Sequence, residues 1–334
     1  MSKSILLALF VTVIMGCSSD SQDAEIKRYE FEHPSMGSLF RVVVYANDSA
    51  RVSTLVEASF QELDSLNMIM SDYIPTSELM RLSRSSGTGK YVSVSEDLME
   101  ILKMSEYWYS WSAGLFDVTI GPITQLWRRA KRQGQLPKKQ HFDGAMSSVG
   151  FKYLKIDDEK GVLLEKTNMQ LDLGGIAKGY AVDMIFESLR KNEYTQCLVD
   201  GAGDLRVGEA PPGKDGWEIA INTYVGKDST MFISNQAVAT SGDFYRNLQI
   251  DGKSYSHIID PSTGYGITVS RAVTVFANDC TTADVLASVF SVAGPYQSDL
   301  NGKIPNSGQV MIFEKAGEET EIFSISTKKP QSDF

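Results

Sequence analysis

Cysteine, histidine and long apolar runs are scarce in this chain of 334 residues, and each shortage removes a class of function. Of the three cysteines, Cys17 falls in an apolar leader. Cys197 and Cys280 are then too few for a disulfide framework or a zinc cluster. A bridge between those two would need an oxidising compartment; Cys197 sits in the apolar run Cys197-Leu198-Val199, where a buried free thiol is the simpler reading. The N-terminal apolar run, Ile5 to Met15, falls short of the about 20 residues that cross a bilayer as a helix. Positive charge is short as well: 32 Lys and Arg stand against 42 Asp and Glu, a formal charge of −10. Residues 1–16 carry only Lys3, so without them the balance is 31 against 42, or −11. A phosphate backbone would be repelled, which argues against nucleic acid as a partner. The one dense cationic run, Arg128-Arg129-Ala130-Lys131-Arg132, reads as solvated helix surface. There is no internal repeat, low-complexity segment, Walker loop or dinucleotide fingerprint.

The leader itself is informative. Lys3 followed by Ile5–Met15 reads as a signal peptide, and Ile14-Met15-Gly16-Cys17 resembles the lipobox of bacterial lipoproteins. Cys17 is then the lipidated N-terminus and Ser18 to Ala24 the polar tether after it. The expected organisation is a signal peptide over 1–16, anchor and tether over 17–28, and a domain over 29–334 that is long enough for a large core or for two subdomains. The expected place is the bacterial cell envelope, lipid-anchored to the inner or outer membrane and facing the periplasm, with Ser18 directly after the cysteine favouring the outer membrane.

The domain reads as α+β with mostly antiparallel sheet. Tyr29 to Tyr45 is strand-like and broken at Met36-Gly37. Val52, Leu55, Val56, Phe60, Leu63 and Leu66 recur at helical spacing, and Ser95 predicts an N-cap for a helix running to about Trp111. The aromatics Tyr107, Trp108, Tyr109 and Trp111 at its end read as core packing, with a flavin or sugar platform as the alternative. A hairpin is expected around Asp157–Gly161; then a strand at Leu171-Asp172-Leu173, a glycine turn, and a helix from Ile176 to about Lys191. Short strands are expected over 195–199, 204–207, 217–222, 231–234 and 237–240, and a last strand after Gly317.

Three places carry residues suited to chemistry. In Asp172-Leu173-Gly174-Gly175-Ile176-Ala177-Lys178-Gly179 the glycines allow backbone to approach a ligand where a helix starts, and free amides with Lys178 suit a phosphate; a plain tight turn is the alternative. Gly201-Ala202-Gly203-Asp204 has the wrong spacing for a dinucleotide loop and reads as a turn. Asp284 and Ser288 stand at i and i+4, so a carboxylate and a hydroxyl share one helix face and suit a hard cation such as magnesium; a solvated or capped helix is the bland alternative. His257 precedes the turn Asp260-Pro261-Ser262-Thr263-Gly264 and is either merely hydrogen-bonded or the side chain best suited to act as a base near pH 7.

Met36-Gly37-Ser38, Ser71-Asp72-Tyr73 with Ser77-Glu78-Leu79, Gly114-Leu115-Phe116-Asp117-Val118-Thr119, Leu173–Asp183, Ala239-Thr240-Ser241-Gly242, His257–Gly264 and Thr282–Ser288 together resemble the ApbE family of flavin transferases, in family order from about Tyr29 to beyond Phe313. The resemblance implies an ApbE-like, T-fold-related architecture and a magnesium-dependent transfer of FMN from FAD to a Ser or Thr hydroxyl of an acceptor flavoprotein subunit, with release of AMP. It implies a metal held by Asp284, Ser288 and the carbonyl of Ala177. FAD would meet Met36 on the adenosine side, Tyr73 against the isoalloxazine, and Asp117, Gly174, Gly175, Lys178, Asp183, Asp260 and Thr263. His257 would take the acceptor's proton. Ser288 and Ser38 stand where the family often has Thr, and Gly201-Ala202-Gly203-Asp204 departs from the commoner Gly-Gly-Asp. Two other activities fit the same residues: an FAD pyrophosphatase that uses water, and a flavin-binding lipoprotein without catalysis.

Overall fold

Two residues with positive φ, Met36 at 50° and Gly37 at 69°, turn the chain between β1 (Lys27–Ser35) and β2 (Ser38–Ala46). The strands pair antiparallel from Lys27↔Ala46 to Ser35↔Ser38, and this twisted two-residue loop is the connection that positive φ at both central positions permits. The computed structural model describes residues 25–221, 229–242, 247–250, 252–301, 303–305, 308–316 and 319–326. The leader, Cys17 and Ser18 to Ala24 lie outside them.

Helix α1 (Ser49–Met70) buries Val52, Val56, Phe60, Leu63 and Leu66 on the face their spacing predicts, and Asp48 caps it by accepting from Arg51 N at 3.0 Å. Ser77 and Ser95 cap α2 (Glu78–Arg84) and α3 (Glu96–Trp111) in the same way. Next come α4 (Gly121–Gln133), α5 (Lys139–Met146), the hairpin β3 (Leu154–Asp157) and β4 (Gly161–Leu164), and α6 (Ala177–Lys191). The second half holds β5 (Cys197–Gly201), β6 (Leu205–Val207), β7 (Trp217–Ile221), β8 (Ser229–Ile233), β9 (Gln236–Gly242), β10 (Asn247–Ile250), β11 (Lys253–Ser256), β12 (Arg271–Ala277), α7 (Cys280–Ala293), β13 (Gln309–Ala316) and β14 (Glu319–Ser326).

Eight strands form one sheet in the order β1-β2-β5-β6-β9-β12-β13-β14, every neighbouring pair antiparallel. Alternation along β2 sends Phe40, Val42 and Val44 to a large core and Val43 to the opposite face. On the large-core side α7 lies on β9 and β12, α6 on β5 and β6, and α1 against α6. The hairpin β7–β8 covers the other face through Trp217, Ile219, Ile221 and Ile233. A third, small core joins Ile123, Trp127 and Ala130 of α4 and Phe142 of α5 to Ile259.

Three expectations are corrected. Leu171-Asp172-Leu173 is not a strand: its amides are taken singly, Leu171 N by Ser83 Oγ of α2 at 3.3 Å and Asp172 N by Val118 O of a loop at 2.8 Å, and Gln170 makes only an isolated bridge to Ile120. The aromatic end of α3 divides, with Trp108 4% exposed but Tyr107 54% exposed, because the helix buries the single face of Leu98, Ile101, Leu102 and Trp108. Arg128 does not belong to a solvated run; it turns inward, as described below. Cys197 and Cys280 are both buried and free, and burial pushes the Cys197 thiol up to about 12, so it is no nucleophile at neutral pH.

Candidate active site

The start of α6 and the N-terminal half of α7 cross at Gly179. A Cβ there would stand 2.6 Å from Cys280 O and 2.8 Å from Thr281 Cα, so only glycine lets the two backbones come this close. The crossing hands the Gly179 amide to Asp284 Oδ2 at 3.2 Å. One turn further along α7, Ser288 is the single residue between Cys280 and Ser291 that is not fully buried, and its Oγ lies 2.9 Å from where a Gly175 Cβ would be. The glycine turn, Asp284 and Ser288 are therefore one site.

Asp284 is 6% exposed, and among the described residues no Lys or Arg forms an ion pair with it. A buried carboxylate without a counter-ion is costly, and a hydroxyl beside it adds a second hard oxygen donor. These residues fit a divalent cation with oxygen preference, and Ala177 opens α6 two residues before Gly179.

The phosphate cradle is narrower than the sequence suggests. Gly174 N donates to Asp172 Oδ1 at 2.8 Å, while Ile176 N and Ala177 N donate to Leu173 O at 3.1 and 2.9 Å. Lys178 pairs with Asp204, 4% exposed, in the turn between β5 and β6. The sequence reads Asp204 as part of a turn; its pairing depends on β5 and β6 packing beside α6.

Asp183 holds the start of α7. Its Oδ1 accepts from Cys280 N and Arg206 Nη1, both at 2.9 Å, and its Oδ2 from Thr281 N at 2.8 Å and Thr281 Oγ1 at 2.6 Å. Burial raises its pKa against the pull of those donors. With Asp279 Oδ1 accepting from Thr282 N at 2.7 Å, the first three amides of α7 are satisfied by side chains. Asp117 is similarly occupied: Oδ1 accepts from Thr119 N at 2.8 Å and Thr119 Oγ1 at 2.7 Å, and burial again raises its pKa.

His257 is exposed at the end of β11, opening a loop that folds on itself. Asp260 Oδ1 accepts from Ser262 N and Oγ at 2.8 and 2.7 Å, Gly264 N donates to Asp260 O at 2.7 Å, and Thr263 Oγ1 accepts from Tyr265 N at 3.3 Å. Asp260 and Thr263 thus shape the loop. Trp127 Nε1 donates to Gly264 O at 2.8 Å, which hangs it on α4 rather than on α7. Met36, half-buried against the large core at its positive φ, marks the β1–β2 turn.

Sequence reasoning missed the connection between these parts. Arg128 pairs with Asp72 and, through Nη2, with Asp172 Oδ2 at 3.3 Å; the side chains are 22%, 10% and 9% exposed. Its Cζ lies 3.9 Å from the centroid of the Tyr73 ring. The signal available in the sequence was its place directly after Trp127, a large apolar residue that had to face inward.

The ApbE family model matches residues 36–300. An FAD:protein FMN transferase from Haemophilus influenzae is 30% identical over 305 residues, 86% of this chain and 87% of that protein. One from Chlamydia muridarum is 28% identical over 303 residues, 88% and 92%. The solved structure of the flavin transferase ApbE from Vibrio cholerae superposes with a TM-score of 0.80 at 26% identity, over 91% of this chain and 98% of that one.

Proposed function

Since the chain belongs to the ApbE family, we propose that it is an FAD:protein FMN transferase, moving FMN from FAD to a Ser or Thr hydroxyl of an acceptor protein. The observation that carries the reading is the meeting of Asp284, Ser288 and the glycine turn in one site, where a buried, uncompensated carboxylate faces a place that backbone can line closely. In the proposed reaction the acceptor oxygen forms a bond to the FMN phosphorus. The bridging P–O bond breaks, and AMP leaves with the bridging oxygen. Magnesium, when bound by Asp284, Ser288 and the Ala177 carbonyl, would neutralise charge on the pyrophosphate.

The chain's own residues supply the rest. The Gly174-Gly175 turn admits the phosphates, and the Tyr73 ring, 73% exposed, offers a flat apolar face to the isoalloxazine. His257, exposed to an incoming protein, takes the hydroxyl proton. Anchoring through Cys17 to an envelope membrane, supported by the leader and its polar tether, would hold the enzyme beside periplasm-facing acceptors. The test is to incubate the domain over residues 25–334 with FAD, Mg²⁺ and a candidate acceptor. The reading predicts AMP release in step with a fluorescent acceptor band that survives denaturing electrophoresis. AMP released equally fast without acceptor would assign hydrolysis instead.

A further inference from the structure

Arg128 makes contacts that no surface arginine needs. Its guanidinium is held by two acidic side chains from separate loops, Asp72 after α1 and Asp172 before the glycine turn, and lies on the ring of Tyr73 at 3.9 Å. Asp72 and Tyr73 are chain neighbours, so one flat group meets both the Asp72 carboxylate and the tyrosine ring beside it. Asp172 also accepts from Gly174 N at 2.8 Å, through Oδ1 and not through the Oδ2 that meets Arg128, so the turn keeps a bond of its own. The preceding residue, Trp127, holds the His257 loop through Gly264 O at 2.8 Å.

We infer that Arg128 is a positioning residue: clamped between Asp72 and Asp172, it backs one face of the Tyr73 ring and sets the other face as the platform for the flat ring of FAD. The inference rests on the reading of Tyr73 given under the proposed function. An arginine suits this task and a lysine does not, because its planar fork bonds two carboxylates while its π face stacks on an aromatic ring. Tyr73 is 73% exposed, so an unbacked ring would turn among rotamers and lose that freedom only on binding. Arg128 removes the freedom beforehand. The backbone around Tyr73 is held independently: Ser71 Oγ accepts from Tyr73 N at 3.2 Å and Ser77 Oγ donates to Ser71 O at 2.6 Å. Replacing Arg128 therefore removes the backing of the ring while those two bonds still hold the loop.

The experiment measures FAD affinity by quenching of flavin fluorescence, and KM against kcat in the labelling reaction, for Arg128→Lys, Arg128→Met, Tyr73→Ala and the Tyr73→Ala/Arg128→Met pair. Arg128→Met should weaken FAD binding roughly tenfold, with Arg128→Lys between it and wild type, while kcat at saturating FAD stays within roughly threefold. In the Tyr73→Ala background Arg128→Met should add nothing, since a residue that acts through another has no effect once that other is gone. Wild-type affinity in Arg128→Met, or an undiminished further loss in the double variant, overturns the inference. Should Arg128→Met not fold, Arg128→Lys, which keeps the charge, carries the same comparison. Wild-type protein that does not bind FAD at all overturns the proposed function itself.

Discussion

Asp72 is held in a buried place beside Asp172, and burial with that neighbouring charge pushes its pKa up to about 6 against the pull of Arg128. A carboxyl whose folded pKa lies above its ordinary 3.8 stabilises the fold while protonated and loses that contribution as pH rises through about 6. Asp72→Asn does not titrate, so its melting temperature relative to wild type should climb between pH 4 and pH 7; a difference that stays flat across that range would show that Asp72 is charged without penalty. Residue identity alone did not reveal this cluster. A cation inside a dense basic run reads as solvent-facing, and only the packing of Trp127 into the small core of α4 and α5 turns Arg128 toward two acids far from it in sequence. Asp284 shows the reverse case. Its neighbours in sequence, Ala283, Val285 and Leu286, are apolar and buried, and the carboxylate is buried with them without an ion-pair partner among the described residues.

The crossing of α6 and α7 makes the site, and its two glycines act differently. Gly179→Ala puts a methyl group against backbone atoms of Cys280 and Thr281 that cannot swing away, which should cost about 2 kcal/mol or more and lower the melting temperature of the apo-protein by several degrees. Gly175→Ala meets the Ser288 hydroxyl at 2.9 Å and the Phe116 ring edge at 3.3 Å, side-chain atoms that can shift. It should leave apo stability within about 1 kcal/mol of wild type and abolish the rise in melting temperature on adding Mg²⁺ with FAD. Equal apo stabilities for the two variants would show that the crossing tolerates a wider spacing. Helices α1, α3 and α6 were legible because their apolar residues keep a helical period and two of them carry serine or aspartate caps. Leu171-Asp172-Leu173 misled because alternation of apolar and polar residues predicts a strand but does not supply a partner edge.

At the scale of the molecule, one antiparallel sheet carries the α6–α7 site on its large-core face, while the His257 loop rides on the small core of α4 and α5. The α+β, antiparallel character was legible from short strands between Gly, Pro and Asp turns; the division into these bodies was not, because it depends on which loop Trp127 reaches. On the proposed reading the labour is divided: the carboxylate site would serve the donor's charge and His257 the acceptor's proton. Mg²⁺-dependent transfer of flavin from FAD to an acceptor protein, followed as a covalent fluorescent band beside FAD affinity, tests this most directly in wild type, Asp284→Ala and His257→Ala. The account predicts that Asp284→Ala loses both the Mg²⁺ response of FAD binding and the transfer, and that His257→Ala keeps FAD affinity within roughly twofold while transfer falls by about a hundredfold or more. Labelling at the wild-type rate by either variant would contradict it.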